Sequence, residues 1–198
     1  MSDEVTQGRS DLLRQAGIAP ETVDAVIAID SLLQRWRRRA MKRELGQTAL
    51  TELKVKLDLT QLDVLFAIAG PGDGESGETM VATVAERLNI DPSRASRLAS
   101  DMVDLGYARR AVSQADARRT IIELSKSGQA IVEAVRTYKL IVMGDFLGDW
   151  DAAELAAFLP LLKRFGSWMD SIEAASEKHA DEIAALAQQL HATENPDA

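Results

Sequence analysis

At 198 residues and 46% hydrophobic side chains, the chain is long enough for one domain with extensions and can bury a core, which excludes wholesale disorder. It has no cysteine, so a disulfide scaffold, a thiolate nucleophile, a zinc finger and a thiol redox switch are excluded, and its two histidines, His179 and His191, leave no imidazole in the body of the chain for catalysis or metal binding. The net charge of −8 argues at first against a nucleic-acid partner, but residues 145–198, with eleven acids against three bases, account for all of it.

Residues 1–18 are polar and are expected to be loosely ordered. Pro20 and Glu21 suit a helix start, and Val23, Val26, Ile27, Leu33 and Trp36 recur at helical spacing to about residue 45. Six bases and no acid lie between Ser31 and Arg43: Arg35, Arg37, Arg38, Arg39, Lys42 and Arg43. That run reads as a solvated helix face, as a flank to DNA backbone, or as a membrane-surface helix, the last weakened because Trp36 is its only aromatic residue. Residues 47–58 read as a fraying extension or a loop after Gly46. Thr60 is placed to cap a second helix, with Asp63 completing a box-like pattern and Leu62, Leu65, Phe66 and Ile68–Ala69 on its inner face.

Gly70 to Gly77 form a glycine-rich stop and loop, and Thr79 and Met80 suit a short edge strand. A third helix is expected over 82–88. Asp91 and Pro92 are an N-cap and first-turn pair for a helix over 92–105, stopped by Gly106. Its apolar side is Ala95, Leu98, Ala99, Met102 and Val103; Ser93, Arg94, Ser96, Arg97 and Ser100 lie on its polar remainder. Tyr107–Val112 and Arg119–Leu124 read as two strands joined by a polar turn, and Asp116 and Arg118 are near enough across it to form an ion pair. A helix from Ser125 or Ser127 runs to about 147, interrupted by Gly144 and Gly148. Asp149 or Asp151 caps another, kinked at Pro160, with an apolar stripe from Leu155 to Ile172. Residues 173–191 read as its alanine-rich, charged continuation.

The block 79–124 carries the functional signal: helix, short turn, capped helix, glycine, hairpin. An exposed helix with two arginines and three serines is by itself an ordinary solvated face. The hairpin changes that reading, because Arg109, Arg110, Arg118 and Arg119 lie on or beside its strands. A helix fits the major groove and presents its N-terminal turns to base edges, where Arg94 and Arg97 can donate bidentately to guanine. Ser93, Ser96 and Ser100 can serve bases or phosphates, and the basic ribbon suits the minor groove or its flanks.

The stretch from Val81 to Gly128, with Asp116-Ala117-Arg118-Arg119 at its wing, resembles the winged helix-turn-helix of the MarR family of bacterial transcriptional regulators. Similarity extends over roughly residues 20–175 and is strongest from 60 to 130. The resemblance implies a mainly α fold with a small β-hairpin wing, flanked by N- and C-terminal dimerisation helices, acting as a homodimer on a pseudo-palindrome. It implies that Arg118 enters the minor groove, that Asp116 positions it, and that Ser93, Arg94, Ser96 and Arg97 form the reading surface. It also implies, as a ligand class, small aromatic acids or phenols that release DNA in many members. Two departures stand out, the Gly70–Gly77 insertion and an acidic extension after about residue 175.

The expected organisation is a flexible segment over 1–19, an N-terminal dimerisation region over 20–58 and the winged helix-turn-helix over 59–126. C-terminal dimerisation helices over 127–175 and an acidic helical extension over 176–198 follow. The expected function is that of a sequence-specific double-stranded DNA-binding regulator, a repressor in the commoner case. The alternative is a winged-helix protein-interaction module without DNA binding, favoured by the acidic balance and disfavoured by the wing arginines. No enzyme is expected: the glycines in PGDGESGE lack the lysine of a phosphate loop and the oxygen ligands of a calcium loop. No cofactor or metal site is expected. With no secretory signal at the start and no run of roughly 18 apolar residues, the expected location is the cytoplasm.

Overall fold

The computed structural model describes residues 2–70 and 78–194. The chain divides into two compact units, Arg39–Gly148 and Met1–Arg38 with Asp149–Ala198.

The first unit contains α3 (Glu44–Glu52), α4 (Leu59–Ala69), α5 (Val81–Leu88), α6 (Pro92–Asp104), β1 (Ala108–Val112), β2 (Thr120–Leu124) and α7 (Lys126–Leu147). Its middle is α4, which buries Leu62, Val64, Leu65, Ala67 and Ile68, so it is covered on more than one side. Val64, Leu65 and Ile68 meet Val84 and Ala85 of α5, Ala95, Ala99 and Met102 of α6, Ile122 of β2 and Val132 of α7 in one core. Leu62 meets Ala49, Leu50 and Val135 in a second. That second core explains why α3 is helical where a loop or frayed end was expected: tertiary burial of Ala49 and Leu50 holds a short helix that local pattern leaves marginal.

Helix ends follow local chemistry. The cap of α4 is Asp58 rather than Thr60: its carboxylate accepts from Gln61 N–H while the Gln61 side chain accepts from Asp58 N–H. The C-terminal carbonyls of α4 are satisfied by side chains from afar. Arg87 donates to Ala67 O at 2.7 Å, Thr79 to Ile68 O at 3.1 Å and Arg136 to Gly70 O at 2.8 Å. The expected insertion beyond Gly70 lies outside the described residues. Thr79 does not head an edge strand; its carbonyl accepts a single bond from Ile122 N–H at 2.7 Å. Ser125 caps α7, accepting from Gly128 N–H and donating to Gly106 O at 2.7 Å. A Cβ on Gly128 would collide with the Tyr107 carbonyl oxygen, so α7 starts flush against the hairpin's entry only because that position has no side chain. Helix α7 passes Gly144 without interruption.

The second unit holds α1 (Ser2–Gln15), most of α2 (Pro20–Lys42), α8 (Ala152–Gly166), a 3-10 turn (Ser167–Ser171), α9 (Ile172–Lys178) and α10 (Ala180–Glu194). A helix thus replaces the loosely ordered start. Asp151 caps α8 with Glu154 in a capping box, and Pro160 does not end the helix. Within the stripe Phe165 stacks with Trp168, while Phe158 meets Trp150, just before α8, edge-on and Trp36 stays 59% exposed. Among the described residues, no helix is long and apolar enough to cross a membrane.

Candidate nucleic-acid interface

Helix α6 is aimed by its two ends. At its start Asp91 accepts from Arg94 N–H at 2.8 Å and from the Ser93 hydroxyl, with Pro92 in the first turn. These bonds, the Ser93 hydroxyl first and the Arg94 amide next, hold the Asp91 carboxyl below its usual range. The preceding turn is sharp because Asn89 takes the left-handed conformation, φ 52°. At the other end Gly106, φ 77°, lets Tyr107 N–H reach back to Met102 O at 2.9 Å and turns the chain into the hairpin. Ala95, Ala99 and Met102 bury the inner face, so Ser93, Arg94 and Arg97 are left exposed. Ser96 and Ser100 are half-buried, and the Ser100 hydroxyl donates to Ser96 O.

The hairpin pairs β1 with β2 antiparallel, from Ala108 opposite Leu124 to Val112 opposite Thr120. Its basic residues are not equivalent. Arg109 is paired with Glu123 at 2.8 Å. Arg110 reaches back to the recognition helix and donates to Ser100 Oγ at 2.9 Å, tying wing and helix together. Arg119 pairs with Asp116 at 3.4 Å. The expected Asp116–Arg118 ion pair is replaced by a bond from Arg118 N–H to the Asp116 carboxylate at 3.0 Å. The Asp116 carboxylate thus engages the backbone of Arg118 and the side chain of Arg119. Among the described residues of α6 and the hairpin, the guanidiniums of Arg94, Arg97 and Arg118 have neither a hydrogen-bond nor an ion-pair partner. All ten residues singled out from the sequence thus lie on α6 or the hairpin, but only some present a charge unspent on the protein.

Residues 56–119, which carry the arrangement as far as the hairpin turn, match the sequence profile of the MarR family. The match is to this segment alone, and it says what the segment is similar to. Solved structures agree on the fold. A MarR-family protein from Bacillus stearothermophilus is 19% identical over 74% of this chain and 97% of its own, with a TM-score of 0.60. RV1404 from Mycobacterium tuberculosis is 18% identical over 71% and 91%, with a TM-score of 0.55. MepR from S. aureus in complex with ethidium bromide is 20% identical over 68% and 95%, with a TM-score of 0.50. No relative is found among curated proteins. Among the described residues no group of three or more acids and histidines could hold a metal ion.

Sequence reasoning missed four residues that shape the winged block. Arg87 and Arg136 serve α4 rather than a partner, and Arg43 of the basic run is engaged by Asp63 and donates to Leu59 O. The fourth is Glu78, whose carboxylate accepts from Ser113 Oγ and Gln114 N–H at the wing's base. Only the last bears on the wing, and its position beside a glycine-rich stretch offered no local signal. A cavity of about 690 Å³ opens between α3, α4 and α7, lined by Arg43, Leu62, Phe66, Tyr138, Lys139 and Val142 among others. Lys139 sits 4.6 Å over the Phe66 ring, and burial, then Arg136, pushes its ammonium below its usual range.

Proposed function

We propose that the chain is a sequence-specific repressor that binds a pseudo-palindromic operator as a homodimer and is released by a small aromatic ligand. The observation that carries the DNA reading is the set of unspent guanidiniums, Arg94 and Arg97 on the exposed side of α6 and Arg118 on the wing. In this reading Arg94 and Arg97 address guanine O6 and N7 in the major groove, with the small Ser93 and Ser96 permitting close approach. Arg118 enters the adjacent minor groove, and Arg110, held by Ser100, keeps the two elements in register. A two-fold dimer separates the half-sites by about 34 Å.

The dimer reading rests on apolar surface. At the end of α7, Leu140, Ile141, Met143 and Phe146 are 51–66% exposed, and α8 and the turn after it expose Leu161, Trp168 and Met169 to a similar degree. Large apolar side chains left exposed on each of these elements call for a partner. The ligand reading rests on the cavity beside Phe66. Lys139, which stands over the Phe66 ring while Arg43 is engaged by Asp63, favours an aromatic carboxylate rather than a cation such as the ethidium seen in the S. aureus relative.

Selection of bound duplexes from random DNA, followed by titration of Arg118→Ala, tests the reading. The variant should keep its fold and lose about 1–3 kcal/mol of specific binding, the order of one groove contact. Failure of the intact protein to enrich any sequence would leave the fold as a protein-interaction module.

A further inference from the structure

Glu78 has no place in the reading surface, yet it is an acid that a separate segment sends to the base of the wing. Its backbone is not adrift. Next to it Thr79 is 6% exposed, bonded through its carbonyl to Ile122 N–H and through its hydroxyl to Ile68 O. From that anchored position the carboxylate spans two donors of the turn, Ser113 Oγ and Gln114 N–H. We infer that Glu78 is a positioning residue for DNA recognition, holding the 113–119 turn in the geometry that presents Arg118. This rests on the DNA-binding reading above.

A serine hydroxyl has one proton and two lone pairs. Glu78 takes the proton of Ser113, which turns the lone pairs toward Ala115 N–H at 3.1 Å and Asp116 N–H at 3.0 Å. Asp116, so placed, accepts from Arg118 N–H and pairs with Arg119. Ser113 N–H closes the turn on Arg119 O at 3.0 Å. Carboxylate, hydroxyl, amides and second carboxylate form one chain ending at the backbone of Arg118, and networks of this kind lose more than one bond when their head is removed. The Glu78 carboxyl lies below its usual range, chiefly through Ser113 and then Gln114, as expected of an acid kept as the anion that both donors need. Arg118 itself bonds to nothing but the turn, so the turn alone sets where its side chain starts.

Charge and positioning predict opposite signs. An acid beside a phosphate-facing loop repels DNA, so its removal on Coulomb grounds alone tightens binding. The inference predicts that Glu78→Ala and Glu78→Gln weaken binding to a selected duplex by about fivefold or more, part of the value of a groove contact. On an Arg118→Ala background the same change should add less than about twofold, because its effect passes through that arginine. Hydrogen exchange in the free, full-length variants should be faster at the amides of Gln114, Ala115 and Asp116, with Ser113→Ala behaving alike. Equal or tighter binding by Glu78→Ala, or losses that multiply with Arg118→Ala, would overturn the inference. Were the intact protein to bind no duplex, the DNA reading would fail separately. Unchanged exchange at the three amides would then refute the hold on the turn, and faster exchange would support it.

Discussion

Four guanidiniums on the hairpin are chemically alike and differ in what they touch. Arg109 is engaged by Glu123, Arg119 by Asp116 and Arg110 by Ser100, which leaves Arg118 to meet a ligand. Exposed pairs such as Arg109–Glu123 contribute only about 0–1 kcal/mol to stability. Arg109→Ala should therefore leave the fold intact and weaken DNA binding less than Arg118→Ala, a ranking that parallel anisotropy titrations would check; a larger loss for Arg109→Ala would reassign the wing contact. Two carboxylates make the same block sensitive to acid. Glu78 and Asp91 have ordinary values of 4.5 and 3.8, and both are lowered in the folded chain. A lowered carboxylate stabilises fully above its unfolded value, and that contribution fades as pH falls through the folded one. Amide exchange at the wing turn and at the first turn of α6 should thus rise as pH drops below about 4.5, after correction for intrinsic rates; no change between neutral pH and pH 3 would contradict it. The arginines were legible as residue types, but which of them are already engaged depends on the partner strand and helix.

At the scale of elements, what was legible is what the backbone encodes nearby. Asp91-Pro92 and Ser125 are caps written within four residues, and both hold in the structure. What failed was decided at a distance. Helix α3 owes its form to Leu62 and Val135, which no window over 47–58 contains. Thr60 was a plausible cap, yet Asp58 with Gln61 satisfies two donors where a threonine would satisfy one. Gly128 shows the same limit. On helix propensity alone, alanine there would gain about 1 kcal/mol. Its Cβ, though, would meet the backbone carbonyl of Tyr107, which cannot swing aside as a side chain can. Gly128→Ala should lose about 3 kcal/mol or more, read as a lower thermal midpoint, whereas Ser125→Ala should lose about 1 kcal/mol. A neutral Gly128→Ala would mean that α7 can shift from the hairpin at little cost.

For the whole molecule, the charge of −8 and the DNA reading are compatible because charge is segregated. Residues 145–198 carry all of the net negative charge, while Arg87 to Arg119 hold seven arginines against four aspartates. The sequence showed that segregation directly. It did not show that apolar surface would stay uncovered in a single chain, because a stripe such as Leu155 to Ile172 reads the same for an internal core and for a subunit interface. Truncation after Leu147, or Ile141→Asp in the full chain, should convert a dimer to monomer in sedimentation, and a dimer that persists in both would place the interface elsewhere. The most direct measurement is the salt dependence of binding to a selected duplex. Cations that displace counterions from several phosphates make log affinity fall linearly with log salt, steeply between about 50 and 200 mM. A slope of several is the predicted result; a slope near zero would contradict DNA binding by this surface.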